Sequence, residues 1–171
     1  MEFEGIAEAL GVPVSRVIIA NYAYEYVAFC TSIIAKESSG TIMHMRILDF
    51  IAPELQKPQT YIGEFYRGGK VIFNAVMTGG TPTFPTGYKQ GAFSISLNQR
   101  NPTKSPSEYL ANLGWMASGY AQVASVLRET LEKCDNYTCA LAKLQNDYTS
   151  APVYFILAGT KDFEGVVISR D

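Results

Sequence analysis

The chain has 171 residues with a formal net charge of −2, and 47% of them are hydrophobic and 18% charged. This length suffices for one domain that buries roughly 70% of the surface exposed by the unfolded chain. The charge balance argues against a nucleic-acid partner, because binding phosphates requires a surplus of basic residues. No apolar run approaches the roughly 20 residues that cross a bilayer. The start, MEFEGIAEAL, lacks the pattern of a secretory signal peptide, which predicts a cytosolic protein or a missing natural N-terminus.

The first elements are predicted to be helices followed by a β-hairpin. Short helices are expected over residues 5–29. At Cys30 the period changes to that of strands, and CTSIIAK and TIMHMRILDF flank the turn-rich link at residues 37–40. Two strands around so short a link predict a hairpin that begins at the cysteine.

Further strands are predicted in the middle of the chain. Residues 61–77 indicate a second hairpin that turns at Gly68 and Gly69. Residues 79–91 are rich in Gly, Pro and Thr and are predicted to be a loop, whereas residues 92–98, AFSISLN, alternate as a strand does.

A capped helix is the clearest local signal. Ser105, Pro106 and Glu108 have the spacing of a capping box with proline at the first helical position. Apolar side chains then recur at helical spacing, at Leu110, Leu113, Ala117, Tyr120, Ala124 and Leu127. Gly114 and Gly119 are the places where this helix is most easily broken.

The remaining elements complete an α+β pattern. A short helix is predicted over residues 140–146, and two apolar strands over 152–159 and 163–171. Strands, then helices, then strands indicate a layered α+β domain whose helices cover a sheet, not alternating βαβ units.

Three cysteines leave one thiol over if the other two pair. Cys134 and Cys139 frame the segment CDNYTC, and Cys30 stands alone. Because cysteines five residues apart on a helix are poorly aimed, a disulfide here requires a non-helical turn. Asn136 begins an Asn-Tyr-Thr glycosylation sequon, which matters only in a secretory compartment.

The single histidine limits the chemistry. His44 alone argues against His-dependent metal sites, and no metal or other cofactor is predicted. A pair of Cys30 with His44 is conceivable, but a lone histidine on a strand is more often a hydrogen-bonded structural residue, and we favour that interpretation. Considered separately, Cys30 could be a buried strand residue, Arg46 and Asp49 a surface ion pair, and Asn98 a turn residue.

Together these residues carry a resemblance to a known family. FCTSI followed by H-x-R-x-x-D-F resembles the signature of acid ceramidase and N-acylethanolamine-hydrolysing acid amidase and, more distantly, that of bile-salt hydrolases and penicillin V acylases. Segments 5–25, 86–100 and 151–171 resemble further parts of the same family in the same order. The resemblance implies an N-terminal-nucleophile hydrolase, an αββα sandwich of two stacked antiparallel sheets between helix layers, incomplete at its C-terminal end.

The resemblance also implies a mechanism. The chain would cleave itself between Phe29 and Cys30, and the freed α-amine of Cys30 would take the proton of its own thiol. Arg46 would contact the nucleophile and the substrate. Asp49 would orient the Cys30 amine, and Asn98 would contribute to the oxyanion hole.

Domain organisation and setting follow from the same resemblance. Residues 1–29 would be the end of a small subunit or propeptide and residues 30–171 the start of the catalytic subunit, giving an α/β heterodimer after cleavage. The substrate would be a lipid amide, either a ceramide or an N-acylethanolamine, with peripheral contact to a membrane or micelle. The location would be lysosomal, a route that agrees with glycosylation of Asn136 and pairing of Cys134 with Cys139.

Three departures from the family pattern keep a second interpretation open. Met45 and Ile47 replace Gly and Asn of the family signature, which adds bulk and removes a polar partner. Gln99 stands where the family has Glu. The chain also ends at Asp171, before the family's later asparagine segment, which suggests a fragment or a truncated or degenerate member. The alternative is therefore an inactive relative that binds a lipid or a protein.

Overall fold

The computed structural model describes residues 2–22, 29–49, 53–100 and 105–171. Its helices are α1 (Glu2–Leu10), α2 (Val14–Asn21), α3 (Pro53–Gln56), α4 (Pro106–Ala117), α5 (Val123–Lys133) and α6 (Tyr137–Asn146), with a 3-10 turn at Lys57–Gln59. Its strands are β1 (Phe29–Lys36), β2 (Ile42–Asp49), β3 (Thr60–Arg67), β4 (Lys70–Thr78), β5 (Thr86–Lys89), β6 (Phe93–Gln99), β7 (Val153–Ala158) and β8 (Gly165–Arg170). Within these ranges, no helix combines the length and the apolar character needed to cross a bilayer.

The strands form two antiparallel sheets. β1 and β2 pair as the predicted hairpin, which is thus confirmed, and β3 to β8 form a six-stranded sheet in chain order. The predicted turn between β3 and β4 at Gly68-Gly69 is also confirmed. The hairpin contacts β6 and β7, while α5 and α6 pack on the six-stranded sheet. The fold is therefore α+β, with two stacked sheets and a helix layer.

Alternation along β6 explains this layering. Phe93, Ile95 and Leu97 are at most 3% exposed and belong to the core shared with α5 and α6. The intervening residues, Ser94, Ser96 and Asn98, project from the opposite face and hydrogen-bond the hairpin. One side of β6 therefore builds an apolar core, and the other side forms a polar boundary between the sheets.

The apolar core lies between the six-stranded sheet and the helices. Its largest fully buried side chains are Phe73, Phe84, Phe155, Ile95, Leu97, Leu127, Leu131, Leu144, Leu157, Val123 and Val126. Each such side chain contributes about 1.5–3 kcal/mol when it leaves water. Close packing is visible at Gly87 on β5, where an added Cβ would lie 2.5 Å from Leu131 of α5.

Two local predictions differ from the structure. The helix expected to continue from Pro106 to Leu127 is two helices, because Gly119 has a φ of +90°, which ends α4. The loop predicted at residues 79–91 contains β5, whose four residues are too few to show a clear alternation. By contrast, the capping box of Ser105 and Glu108 is confirmed.

The N-terminal helices α1 and α2 are attached to the start and middle of α5 and to the loop between β4 and β5. Nε2 of Gln122 donates to the carbonyl oxygen of Asn21, and Nδ2 of Asn21 donates to Gly80 O at 3.3 Å. Arg128 pairs with Glu2 at 2.8 Å. The rest of the predicted helical segment, residues 23–28, lies outside the described residues.

Candidate active site

Cys30 and Arg46 are in direct contact. Cys30 is the second residue of β1 and is half-buried, and Nη2 of Arg46 donates to its Sγ at 2.9 Å. The same Nη2 lies 3.1 Å from the carbonyl oxygen of Leu97 on β6. Arg46 thus connects the thiol to the larger sheet. Its positive charge faces the atom that becomes negative when the thiol proton leaves.

Asp49 lies at the end of the same strand pair but on the other face. It is the last residue of β2, it is exposed, and its register partner is Phe29. Because side chains alternate along a strand, its carboxylate and the Arg46 guanidinium project from opposite faces of the hairpin. Its place opposite Phe29 is beside the proposed cleavage position. The role of Asp49 toward the Cys30 amine stays a prediction, since that nitrogen belongs to a peptide bond in the uncut chain.

Asn98 is held at the boundary between the sheets by a serine that the sequence interpretation did not single out. Ser32, two residues after Cys30, donates its hydroxyl to Oδ1 of Asn98 at 2.9 Å. Leu97, the residue before Asn98, accepts the hydrogen bond from Arg46. Asn98 is therefore close to the contact between Cys30 and Arg46, and its Oδ1 accepts the hydrogen bond from Ser32. The regular polar positions of SISLN were the available sequence signal for this contact.

His44 contacts two serines. Its Nδ1 lies 2.8 Å from Ser94 Oγ and its Nε2 lies 2.9 Å from Ser96 Oγ. In the strand register Cys30 is opposite Leu48, which places His44 about 13 Å from the cysteine along the hairpin. The pKa of His44 is lowered below its ordinary value of 6.5, chiefly because burial disfavours the charged ring and also because Arg46 is near. This geometry agrees with a hydrogen-bonded histidine and not with a Cys–His pair.

The two residues that depart from the family signature do not lie at the thiol. Met45 is 47% exposed and Ile47 is 61% exposed, both on the outer face of the hairpin. Neither side chain therefore projects toward the thiol, and the effect of these two substitutions on a substrate stays a prediction.

A cleft adjoins the polar boundary between the sheets. It has a volume of about 390 Å³, and His44, Arg46, Tyr88 and Ser94 are among its lining residues. A larger cavity of about 570 Å³, lined in part by Tyr120, contains none of the predicted site residues. We place the candidate site by its chemistry, at Cys30 and Arg46. Within the described ranges, no group of three or more His, Cys, Asp or Glu could hold a metal ion.

The other two cysteines form a disulfide next to the sequon. Cys134 follows α5 and pairs with Cys139, with Cα atoms 5.4 Å apart. The intervening residues are not helical until Tyr137, which supplies the turn that such a bridge requires. Asn136 is exposed and caps α6, because its Oδ1 accepts from the backbone N–H of Cys139 at 2.9 Å.

The fold has a solved counterpart. A Caenorhabditis elegans N-acylethanolamine-hydrolyzing acid amidase ortholog superposes with a TM-score of 0.75 and is 33% identical in sequence. The alignment covers 82% of this chain and 59% of that one. The stacked sheets, with a cysteine near the start of the hairpin, thus have the fold of the N-terminal-nucleophile hydrolases.

Within this fold class, proteins of similar sequence identify the family. Acid ceramidase of Mus musculus is 36% identical over 99% of this chain, and that of Homo sapiens is 33% identical over the same share. The resemblance to the family of acid ceramidase and N-acylethanolamine-hydrolysing acid amidase is therefore confirmed. The chain spans about half the length of these curated relatives, 46% in each of these two cases. No protein-family model matches the chain.

Proposed function

We propose that this chain carries the nucleophile of a cysteine amidase that hydrolyses lipid amides, either ceramides or N-acylethanolamines. The observation that supports this most directly is the hydrogen bond from Arg46 to Cys30 Sγ at 2.9 Å, at the second position of a strand. The names of the relatives, a ceramidase and an N-acylethanolamine-hydrolyzing amidase, support an amide substrate that carries a fatty-acyl group.

In the proposed reaction, self-cleavage between Phe29 and Cys30 first creates a new N-terminus. Residues 1–29 would then be the end of the small piece, a small subunit or propeptide, and residues 30–171 the start of the catalytic piece. The α-amine of Cys30, with an ordinary pKa of about 7.7–8.0, takes the thiol proton. The thiolate attacks the amide carbonyl, the amine product leaves with a proton, and water hydrolyses the acyl-cysteine.

Three further side chains are proposed to assist. Arg46 positions the sulfur and faces the developing negative charge. Asp49, opposite Phe29, orients the ammonium form of the new terminus once the peptide bond is cut. Asn98 donates from Nδ2 to the oxyanion, a contribution worth about 10²–10³ in rate for one donor of this kind.

The proposed setting is an acidic, oxidising route that ends in the lysosome. The disulfide of Cys134 with Cys139 and the exposed sequon at Asn136 both support a secretory origin. The proposed partners are a lipid amide presented by a membrane or micelle and, after cleavage, the small piece bound to the large one.

Intact mass before and after incubation at acidic pH tests the proposal, beside a Cys30→Ala control. We expect two pieces that divide between Phe29 and Cys30 in the wild type and one mass in the control. Fluorogenic ceramide and fatty-acyl ethanolamide analogues then measure turnover. A single unchanged mass together with no hydrolysis would overturn the proposed function.

The second candidate is a non-catalytic domain that binds a lipid or a protein. The outer face of the hairpin favours it, because Ile33, Met45 and Ile47 are 47–61% exposed there. An uncut chain that still binds acyl-ethanolamide vesicles would support this function over catalysis.

A further inference from the structure

A continuous row of polar side chains joins the two sheets and ends at Asn98. The contacts run from Ser94 to His44 at 2.8 Å and from His44 to Ser96 at 2.9 Å. They continue from Ser96 to Ser32 and from Ser32 to Asn98, both at 2.9 Å. Ser96 is fully buried and the others are half-buried.

Counting protons assigns a direction to this row. Asn98 accepts through Oδ1, so the single hydroxyl proton of Ser32 is used there. Ser32 must then accept from Ser96, and Ser96 must accept from Nε2–H of His44. A neutral ring that donates from Nε2 accepts at Nδ1, so Ser94 donates to it. Every donor in the row therefore points toward Asn98.

We propose that Ser32 is a positioning residue for the oxyanion donor, held in place by Ser96 and His44. By occupying Oδ1, the Ser32 hydroxyl fixes the Asn98 amide in the orientation that leaves Nδ2–H for the substrate oxyanion. Hydrogen bonds aligned in one direction polarise one another, so the bonds from His44 through Ser96 strengthen the one that Ser32 donates to Asn98. The inference rests on the proposed function, because it gives Ser32 a task only if Asn98 stabilises an oxyanion.

The first arm of the test does not depend on activity. Because the chain has a single histidine, its ring gives one set of long-range ¹H–¹⁵N NMR signals. At about pH 7.5, where an ordinary histidine is neutral, we expect the Nε2–H tautomer. Finding the Nδ1–H tautomer would contradict the assigned hydrogen-bond directions, whether or not the chain hydrolyses any amide.

The second arm compares kinetics on a fluorogenic fatty-acyl amide. We expect Ser32→Ala to lower kcat about tenfold, with KM within about twofold, because the donor is misaligned and not removed. Ser32→Thr keeps the hydroxyl and should recover most of the loss. Ser169→Ala is the matched control, since Ser169 is exposed on the same face of the sheet and lies outside the row.

A double-mutant cycle separates positioning from general destabilisation. In the Asn98→Ala background, Ser32→Ala should change kcat by less than about twofold, because its effect acts through the amide already removed. The inference would be overturned if the two substitutions lowered kcat independently of each other. It would also be overturned if Ser32→Ala kept the wild-type kcat. A wild type with no turnover would instead overturn the proposed function and with it the task of Ser32. The His44 tautomer would still test the hydrogen-bond directions in the row.

Discussion

Arg46 contacts acceptors on both sheets through one nitrogen. Its Nη2 reaches the sulfur of Cys30 on the hairpin and the carbonyl oxygen of Leu97 on β6. A guanidinium is planar and offers several donors in a fixed geometry, whereas an ammonium is a compact point charge on a flexible stem. Conserving the charge alone is therefore not expected to conserve the geometry.

We predict that Arg46→Lys lowers kcat/KM for a fatty-acyl amide by about 10- to 100-fold, because one charge-assisted hydrogen bond contributes about 1.5–3 kcal/mol. Steady-state kinetics measures this. Arg67→Lys is the matched control, since Arg67 ends β3 and is largely exposed, and it should leave kcat/KM unchanged. A wild-type kcat/KM for Arg46→Lys would contradict the assigned contact.

His44 also makes stability depend on pH. Its pKa is lowered in the folded state, chiefly by burial and further by the charge of Arg46. Near pH 6.5 the unfolded chain therefore binds a proton more readily than the folded chain does. The free energy of unfolding consequently falls as the pH drops from about 7 through 6.5 toward the folded-state pKa.

We predict that His44→Gln removes this part of the pH dependence, because glutamine keeps a donor and an acceptor but does not titrate. Urea unfolding between about pH 5 and pH 7.5 should show a decline for the wild type and a nearly constant free energy for the variant, since carboxylates titrate mainly below that range. Equal slopes for the two proteins would show that the folded-state pKa of His44 is not lowered.

At the scale of single elements, alternation on β6 decides both the core and the candidate site. The same seven residues that supply Phe93, Ile95 and Leu97 to the core supply Ser96 and Asn98 to the boundary between the sheets. A shift of one residue in the register would exchange the two faces, burying hydroxyls among the helices. The position of Asn98 is thus maintained by the hydrophobic packing behind it.

The start of α6 provides a prediction at the same scale. Asn136 caps this helix through Oδ1, so Asn136→Ala should lower the free energy of unfolding by about 1 kcal/mol. Asn136→Asp keeps the capping oxygen and should retain most of the stability. Urea unfolding of unglycosylated protein measures both.

The same two variants test the sequon. Either substitution removes it, so after secretion from mammalian cells only the wild type should lose mass on treatment with an N-glycosidase. A wild type without that mass change would contradict glycosylation of Asn136.

At the scale of the whole molecule, polar contacts at both ends of the N-terminal helical pair connect it to the rest of the described chain. Asn21 binds Gln122, and Glu2 pairs with Arg128. Ala7 and Val17 are the buried apolar side chains of these helices. The disulfide joins Cys134 to Cys139 and therefore lies entirely on the C-terminal side of the proposed cut.

We predict that after cleavage the two pieces co-elute in native size-exclusion chromatography and separate in denaturant without a reductant. Gln122→Ala should increase release of the small piece under native conditions, because the Asn21 carbonyl loses its donor. Lys161→Ala, in the exposed link before β8, is the control. Co-elution that persists in denaturant would indicate a covalent link between the pieces.

Local signals in the sequence determined much of the fold. Short polar links specified both hairpins, alternation specified β6, and the Ser105–Glu108 capping box specified the start of α4. These features depend on neighbours within a few residues, which is why they can be predicted without a partner strand. The break at Gly119 was visible only as a candidate, and β5 was too short to distinguish from the surrounding loop.

The sequence by itself also indicated Cys30, Arg46, Asp49 and Asn98, through motifs that resemble the family signature. Tertiary structure alone decided how they meet. It brought Arg46 to the sulfur, placed Asp49 on the opposite face beside Phe29, and joined Ser32 to Asn98 across two sheets. These contacts depend on strand register and on the stacking of the sheets, and residues 32 and 98 have no local relation along the chain. Packing of the helices on one side of β6 is the physical reason that the polar residues of its other side meet the hairpin.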